Sequence, residues 1–307
     1  MKNCLISLLF VFPIFALAAT VELSIVDESG EPVSGARVRV GFADFRGDGK
    51  TVKGLSDEQG QFQARGSPNH SILIWVSKDD HYPAEFEKLK PDIDHDLEVI
   101  LPRVRNPRPL VYHHVTPKIP EFGEWFEFDL ELGDWVAPYG IGETSDFVVR
   151  LSRDFIKINV LERDMIKIRQ RNPNYTEEDF RRIWGIWNMF LEIRMTVDGE
   201  GIIESDQYYK NSELRLPHLA PNSEYKSELF FKNVSNKWSE RQNDVGYFVR
   251  SRVILNADNQ PVSVNYSKLL GESAADGGGA FSLEYYFNPD PNDRNLEYDG
   301  TNLAEEK

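Results

Sequence analysis

Cysteine is almost absent: Cys4 is the only one in 307 residues. It lies inside an N-terminal segment that reads as a secretory signal, so the mature chain is left with none. Disulfides, thiol nucleophiles and cysteine-bound zinc are thereby excluded. A chain that enters an oxidising compartment without such staples must fold on its hydrophobic core. Histidine is scarce as well, at six residues. Adjacent His113 and His114 point to opposite faces of any strand, so they do not converge on one metal. Neither His-Glu-x-x-His nor Gly-x-Ser-x-Gly occurs, which leaves zinc and serine hydrolysis without a motif. Basic charge is in deficit: 35 Lys and Arg against 50 Asp and Glu give a net charge of −15. That balance disfavours nucleic acid and anionic membrane surfaces as partners.

The first residues set the expected compartment. Lys2 supplies a positive start, residues 5–15 are apolar and uncharged, and Ala16-Leu17-Ala18 places small residues where a signal peptidase cuts. A signal peptide over residues 1–18 is expected, with cleavage after Ala18 or Ala19. Pro13 interrupts a run already too short to cross a bilayer, and no later segment is long and apolar enough. The mature chain is thus expected to be exported, periplasmic or extracellular, with no transmembrane anchor.

Residues 19–101 read as short strands separated by turns, the pattern of a β-sandwich. Val21, Leu23 and Ile25 alternate with polar neighbours, as do Ala36, Val38, Val40 and Phe42. Asp27-Glu28-Ser29-Gly30 reads as a turn in which Gly30 takes a positive φ. Ser56-Asp57-Glu58-Gln59-Gly60 reads as a second. Residues 72–76 are continuously apolar, as expected of a central strand covered on both faces. The stretch Val26-Asp27-Glu28-Ser29-Gly30-Glu31-Pro32-Val33-Ser34-Gly35-Ala36-Arg37-Val38, with Ser56-Asp57-Glu58-Gln59-Gly60-Gln61-Phe62 after it, resembles the carboxypeptidase regulatory-like domain. The resemblance implies a prealbumin-like or Ig-like sandwich of seven strands and roughly 80 residues. Many exported bacterial proteins carry it as a spacer or binding unit, and it brings no catalytic residues.

Prolines 102, 107, 109, 117 and 120 punctuate residues 102–120. Proline cannot donate to a sheet ladder, so this stretch reads as an extended linker. Residues 121–303 read as a larger β-sandwich of jelly-roll type with one inserted helix. Thr176 is the helix N-cap, with Glu177, Glu178 and Asp179 in the first turn. Phe180, Ile183, Trp184 and Trp187 then recur at helical spacing. A hairpin is expected around Asn256-Ala257-Asp258-Asn259-Gln260, and residues 304–307 form a frayed acidic tail. The strings Gly133-Asp134-Trp135-Val136-Ala137-Pro138-Tyr139-Gly140 and Tyr285-Tyr286-Phe287-Asn288-Pro289-Asp290-Pro291 make residues 105–303 resemble an uncharacterised family of exported bacterial proteins. That likeness implies no activity.

Three places can carry chemistry. Asp290, Asn292, Asp293, Asn295 and Glu297 concentrate oxygen ligands of the kind calcium takes, although Arg294 breaks the EF-hand pattern; the structural reading is a loop of Asx turns. Trp135 and Tyr139, with Asp134 and Asp146, could stack on a sugar face and bond its hydroxyls; the structural reading is two core rings in a tight loop. Glu200, Glu204 and Asp206 lie close in sequence, as a glycosidase pair would have to lie close in space. No motif supports catalysis, and calcium is the one cofactor suggested. The favoured reading is an exported, non-enzymatic cell-envelope protein that binds a carbohydrate or an envelope protein. The alternatives are a carbohydrate-active enzyme using paired carboxylates and a purely structural envelope component.

Overall fold

A computed structural model describes residues 18–44, 49–68, 70–91, 93–234, 244–271, 274–275 and 278–306. The expected signal segment falls outside them. No helix among the described residues is long and apolar enough to cross a membrane. The chain is mostly β and divides into two compact units.

The first unit holds residues up to Val104 together with Tyr209–Glu213. Among the described residues its strands are β1 (Ala19–Val26), β2 (Arg37–Ala43), β3 (Lys50–Leu55), β4 (Gln61–Gly66), β5 (Ser71–Ser77), β6 (Ala84–Leu89) and β7 (His95–Ile100). They form two sheets, ordered β4-β1-β7 and β3-β2-β5-β6. Strand alternation explains the packing: Val21, Leu23, Ile25, Ala64 and Val99 of one sheet meet Val38, Val40, Phe42, Ile72, Ile74 and Val76 of the other. The expected sandwich is present. One detail differs. The run 72–76 is covered on one face only, since Leu73 and Trp75 remain 41% and 40% exposed.

Two turns of this unit share one chemistry. The Asp27 carboxylate accepts from the Ser29 amide, the Ser29 hydroxyl and the Glu31 amide. The Asp57 carboxylate likewise accepts from the Gln59 and Gln61 amides. In each turn the fourth residue is a glycine in the left-handed region, Gly30 at φ 84° and Gly60 at φ 73°.

The second unit holds residues 105–208 and 214–306. Its strands are β8 (Arg108–Val115), β9 (Trp125–Asp129), β10 (Asp134–Trp135), β11 (Phe147–Ile158), β12 (Gly185–Arg194), β13 (Gly201–Glu204), β14 (Glu228–Val234), β15 (Gly246–Leu255), β16 (Pro261–Leu270), β17 (Ala274–Ala275), β18 (Phe281–Asn288) and β19 (Tyr298–Asn302). One sheet runs β10-β9-β11-β12-β14. The other runs β13-β15-β16-β18-β8-β19, with β17 on β18. Phe126, Phe128, Phe147, Val149, Leu151, Leu191 and Ile193 of the first sheet pack on Val249, Leu269, Phe281, Leu283, Tyr285 and Phe287 of the second. The two sheets enclose this core as a β-sandwich.

Four expectations about this unit change. The stretch read as a linker contains β8, which lies inside the sheet between β18 and β19. Pro109 is tolerated there because pairing with β18 begins only at Val111. Two helices, α1 (Glu162–Arg171) and α2 (Glu177–Trp184), stand where one was expected. The α1 helix buries no residue and carries no capping side chain, so no apolar stripe announces it. The capping box expected at Thr176 does form, with Asp179 as its partner. Trp187, expected on that helix, belongs to β12, because Gly185 turns to extended backbone and ends α2. Finally, Leu303–Glu306 forms a 3-10 turn, and Leu303 and Ala304 pack on the core.

Two predictions follow from the first unit's turns. Added methyl groups at Gly30 and Gly60 both meet left-handed backbone, costing about 1–2 kcal/mol. Only at Gly60 does the new Cβ also fall 2.3 Å from a carbonyl oxygen, that of Ile25, whereas Gly30 has open space. Denaturant unfolding should therefore show Gly60→Ala losing about 1–3 kcal/mol more than Gly30→Ala. The second concerns acid. Burial alone would raise the Asp27 carboxyl, but the Ser29 hydroxyl and amide, the Glu31 amide and Arg103 together hold it down at about 2, below its ordinary 3.8. A depressed carboxylate stabilises the fold above its unfolded pKa and loses that contribution as pH falls through the folded one. Unfolding followed between pH 5 and 2 should show this decline, and Asp27→Asn should flatten it.

Candidate functional site

The oxygen-rich loop folds onto a neighbouring segment of the chain, without a common centre. Asp290 and Asp293 both pair with the Arg108 guanidinium. Glu297 is buried and accepts from the Arg105 and Asn106 amides, each at 2.7 Å. Asn295 donates to the Asn106 carbonyl at 2.6 Å and accepts from the Glu297 amide at 3.0 Å. Asn292 sits in the left-handed region at φ 63° and donates to the Val262 carbonyl. These five side chains therefore form Asx turns and a clamp on residues 105–108. Among the described residues no group of three or more His, Cys, Asp or Glu has a metal-holding arrangement.

The Trp135 loop is also turned inward. Trp135 is 3% exposed, donates its indole N–H to the Lys118 carbonyl at 2.9 Å, and meets the Phe128 ring edge-on. Asp134 spends both carboxylate oxygens on its own loop, accepting from the Trp135 and Ile141 amides. Asp146 is fully buried. Of the four residues expected to grip a sugar, only Tyr139, at 60% exposure, faces solvent. Its ring leans edge-on against Phe126. Nor do the three nearby carboxylates face one another as a catalytic pair: Glu200 turns inward to accept from the Val197 and Val253 amides, while Glu204 and Asp206 are exposed.

What claims Asp146 is Arg252, which reaches it from the opposite sheet and lies over a hundred residues away in sequence. Arg252 lies on β15 at φ 52°, inside a register shift between Ser251 and Ile254. Its guanidinium donates to Asp146 at 3.0 and 2.9 Å, to Asp129 at 2.8 Å and to Glu131 at 2.6 Å. Ser251 adds a 2.6 Å bond to Asp146. Burial would lower the guanidinium, but Asp146, Glu131 and Asp129 hold it above its ordinary value. Burial likewise pushes the Asp146 carboxyl up, against the pull of Arg252, Ser251 and the Leu130 amide. Every polar group at this cluster is answered by another, so it is a structural device.

An open cleft lies in the first unit. The outer face of β3-β2-β5-β6 forms a cleft of about 750 Å³, floored by Leu73, Trp75 and Gly41 and walled by Arg37, Arg39, Lys50, Thr51, Lys53 and Glu85. That volume suits a small ligand, for which sites of ~300–1,000 Å³ are usual. Register fixes the arrangement: Lys53 stands opposite Arg39, Arg39 opposite Trp75, and Trp75 opposite Glu85. One strand step along, Thr51, Gly41 and Leu73 form a second row. Sequence reading missed this face because residues 72–76 are apolar at every position. The signal was available in β2 and β3, where Arg37, Arg39, Thr51 and Lys53 alternate outward and leave Leu73 and Trp75 beside polar neighbours.

No family model matches this chain, and no curated protein does. Among solved structures, the chain is similar to a candidate carbohydrate-binding protein from Bacteroides uniformis, at 8% identity and TM-score 0.21, over 88% of this chain and 96% of that one. It is also similar to the major pilin subunit of Bacillus cereus, at 13% identity and TM-score 0.22, over 93% and 97%. A 3-chlorocatechol 1,2-dioxygenase from Rhodococcus opacus matches 28% of this chain and 60% of its own, at 13% identity and TM-score 0.24.

The Arg252 cluster yields a stability prediction. Removing one partner of a buried ion network leaves the other charges uncompensated, at a cost of about 3–5 kcal/mol. Arg252→Met should show that loss in denaturant unfolding. A loss under about 1 kcal/mol, the value typical of an exposed pair, would show that solvent and not Arg252 balances Asp129 and Asp146.

Proposed function

We propose that this protein is an exported, non-catalytic β-sandwich protein that binds carbohydrate on the outer face of the first unit's four-stranded sheet. The observation that carries the reading is Trp75, an indole 40% exposed on the floor of the cleft, in a row with Arg39 and Glu85. An aromatic ring in that position offers an apolar face to the C–H side of a sugar. The flanking guanidinium and carboxylate can bond hydroxyls at its rim. Gly41 keeps the floor clear beside Leu73. The N-terminal pattern of residues 1–18 supports export, and the absence of a catalytic motif from the sequence supports a binding role.

A second reading places the sugar on the Tyr139 loop, because that ring is also open. Calorimetric titration of the mature chain with a panel of soluble oligosaccharides separates the two. Trp75→Ala is expected to weaken binding at least tenfold without shifting the melting midpoint, and Tyr139→Ala to leave it unchanged. The reverse result would move the site to the second unit. Absence of binding to every oligosaccharide in the panel would sink the carbohydrate reading.

A further inference from the structure

Resting on that reading, we infer that the cleft selects an anionic carbohydrate, one bearing carboxylate or sulfate groups, held by Arg39 and Lys53 while its ring lies on Trp75.

The charge of the cleft runs against that of the chain. Among the described residues, four cations, Arg37, Arg39, Lys50 and Lys53, line it against the carboxylate of Glu85, on a chain whose net charge is −15. Arg37 is engaged by Asp79 at 2.7 Å. Arg39, Lys50 and Lys53 form no ion pair among the described residues. The placement is more telling than the count. Arg39 and Lys53 are direct partners across the antiparallel β2–β3 pair, both exposed. Like charges directly opposite one another destabilise a sheet. With 50 acidic residues in the chain, a carboxylate at either position would have turned repulsion into attraction. An anion bound between the two cations relieves the repulsion, and Arg39 can grip it in two-pronged fashion.

The neighbours say why the anion should be part of a sugar. Trp75 borders Arg39 on the side away from Lys53, and Glu85 lies beyond Trp75. A ligand crossing this row meets two cations, then an apolar ring, then a carboxylate. A simple anion would use only the first step. A polyanion without an apolar ring face would find no footing on Trp75. A saccharide with an acidic group at one side and hydroxyls at the other answers all three.

The test titrates intact mature protein with three probes: hexagalacturonate, a chondroitin sulfate hexasaccharide and neutral cellohexaose. A single-stranded oligonucleotide serves as the non-sugar polyanion. At least one acidic sugar is expected to bind ten times more tightly than cellohexaose. That affinity should fall with rising salt, and the two acidic arms tell a carboxylate from a sulfate preference. Arg39→Gln should remove at least tenfold of the affinity for the acidic sugar. Lys53→Glu should do the same while raising the melting midpoint, because it converts the like-charge pair into an ion pair; a merely structural lysine would not give both. Equal affinity for cellohexaose and the acidic sugars, unaltered by Arg39→Gln, would overturn the anionic preference and leave the carbohydrate reading intact. Equal binding of the oligonucleotide would overturn it too, by showing an unselective cationic face. Failure of all three sugars would remove both readings together.

Discussion

The second unit depends on one guanidinium. Arg252 reaches from β15 in one sheet to Asp129, Glu131 and Asp146 at the end of β9 and the start of β11 in the other. Gathering three carboxylates, two of them buried, is costly, and a single cation does not neutralise them. The remainder is met by backbone: Asp129 accepts from the Glu131, Leu132, Glu143 and Thr144 amides, and Asp146 from the Leu130 amide. Burial would raise the Asp129 carboxyl, but those amides and Arg252 hold it below its ordinary range. The loop between β9 and β11 is thereby tied at both ends, and its amides are spoken for. Trp135 then has no outward route, and it closes the core against Phe126, Phe128 and Phe281.

That constraint explains what could be read from sequence and what could not. The turns were legible because their chemistry is local. Asp27, Asp57 and Asn256 each accept from amides two and four residues on, so a few adjacent letters contain the whole interaction. Strand alternation in β1 and β2 was legible for the same reason. The candidate sites were not, because what decides them is far away. Arg252 lies 106 residues from Asp146, and Arg108 lies 185 from Asp293. Each distant arginine turns a plausible ligand group into part of the scaffold. Carboxylates and amides look alike in sequence whether they await a cation from solvent or already hold one from the chain.

The first unit shows the opposite case. Its core is built by alternation, and the buried turn at Asp27 is satisfied by neighbours and Arg103. Nothing in that core needs an indole on the outer face of β5. Leaving Trp75 and Leu73 partly in water forgoes burial worth roughly 1 kcal/mol each, and the chain keeps them there beside two mutually repelling cations. A sheet face under no demand but solubility would carry threonine or glutamate at these positions. Two independent costs at adjacent positions are what separate this face from the internally satisfied clusters of the second unit.

The overall charge of −15 at first argues against any anionic ligand, and the two statements operate over different distances. Net charge is a far-field property, and at about 0.15 M ionic strength its influence decays over roughly 8 Å. Adjacent strands are ~4.8 Å apart, so Lys53, Arg39 and Trp75 span little more than one such length across three strands. A ligand seated there experiences mainly the charges within that span, which are positive, and little of the acidic remainder. The acidic background then acts on approach: it discourages polyanions with no foothold on Trp75, while those with an apolar ring face gain contact energy that salt does not weaken. Selectivity would come from that pairing, a local attraction and an aromatic platform set inside a field that repels anions in general.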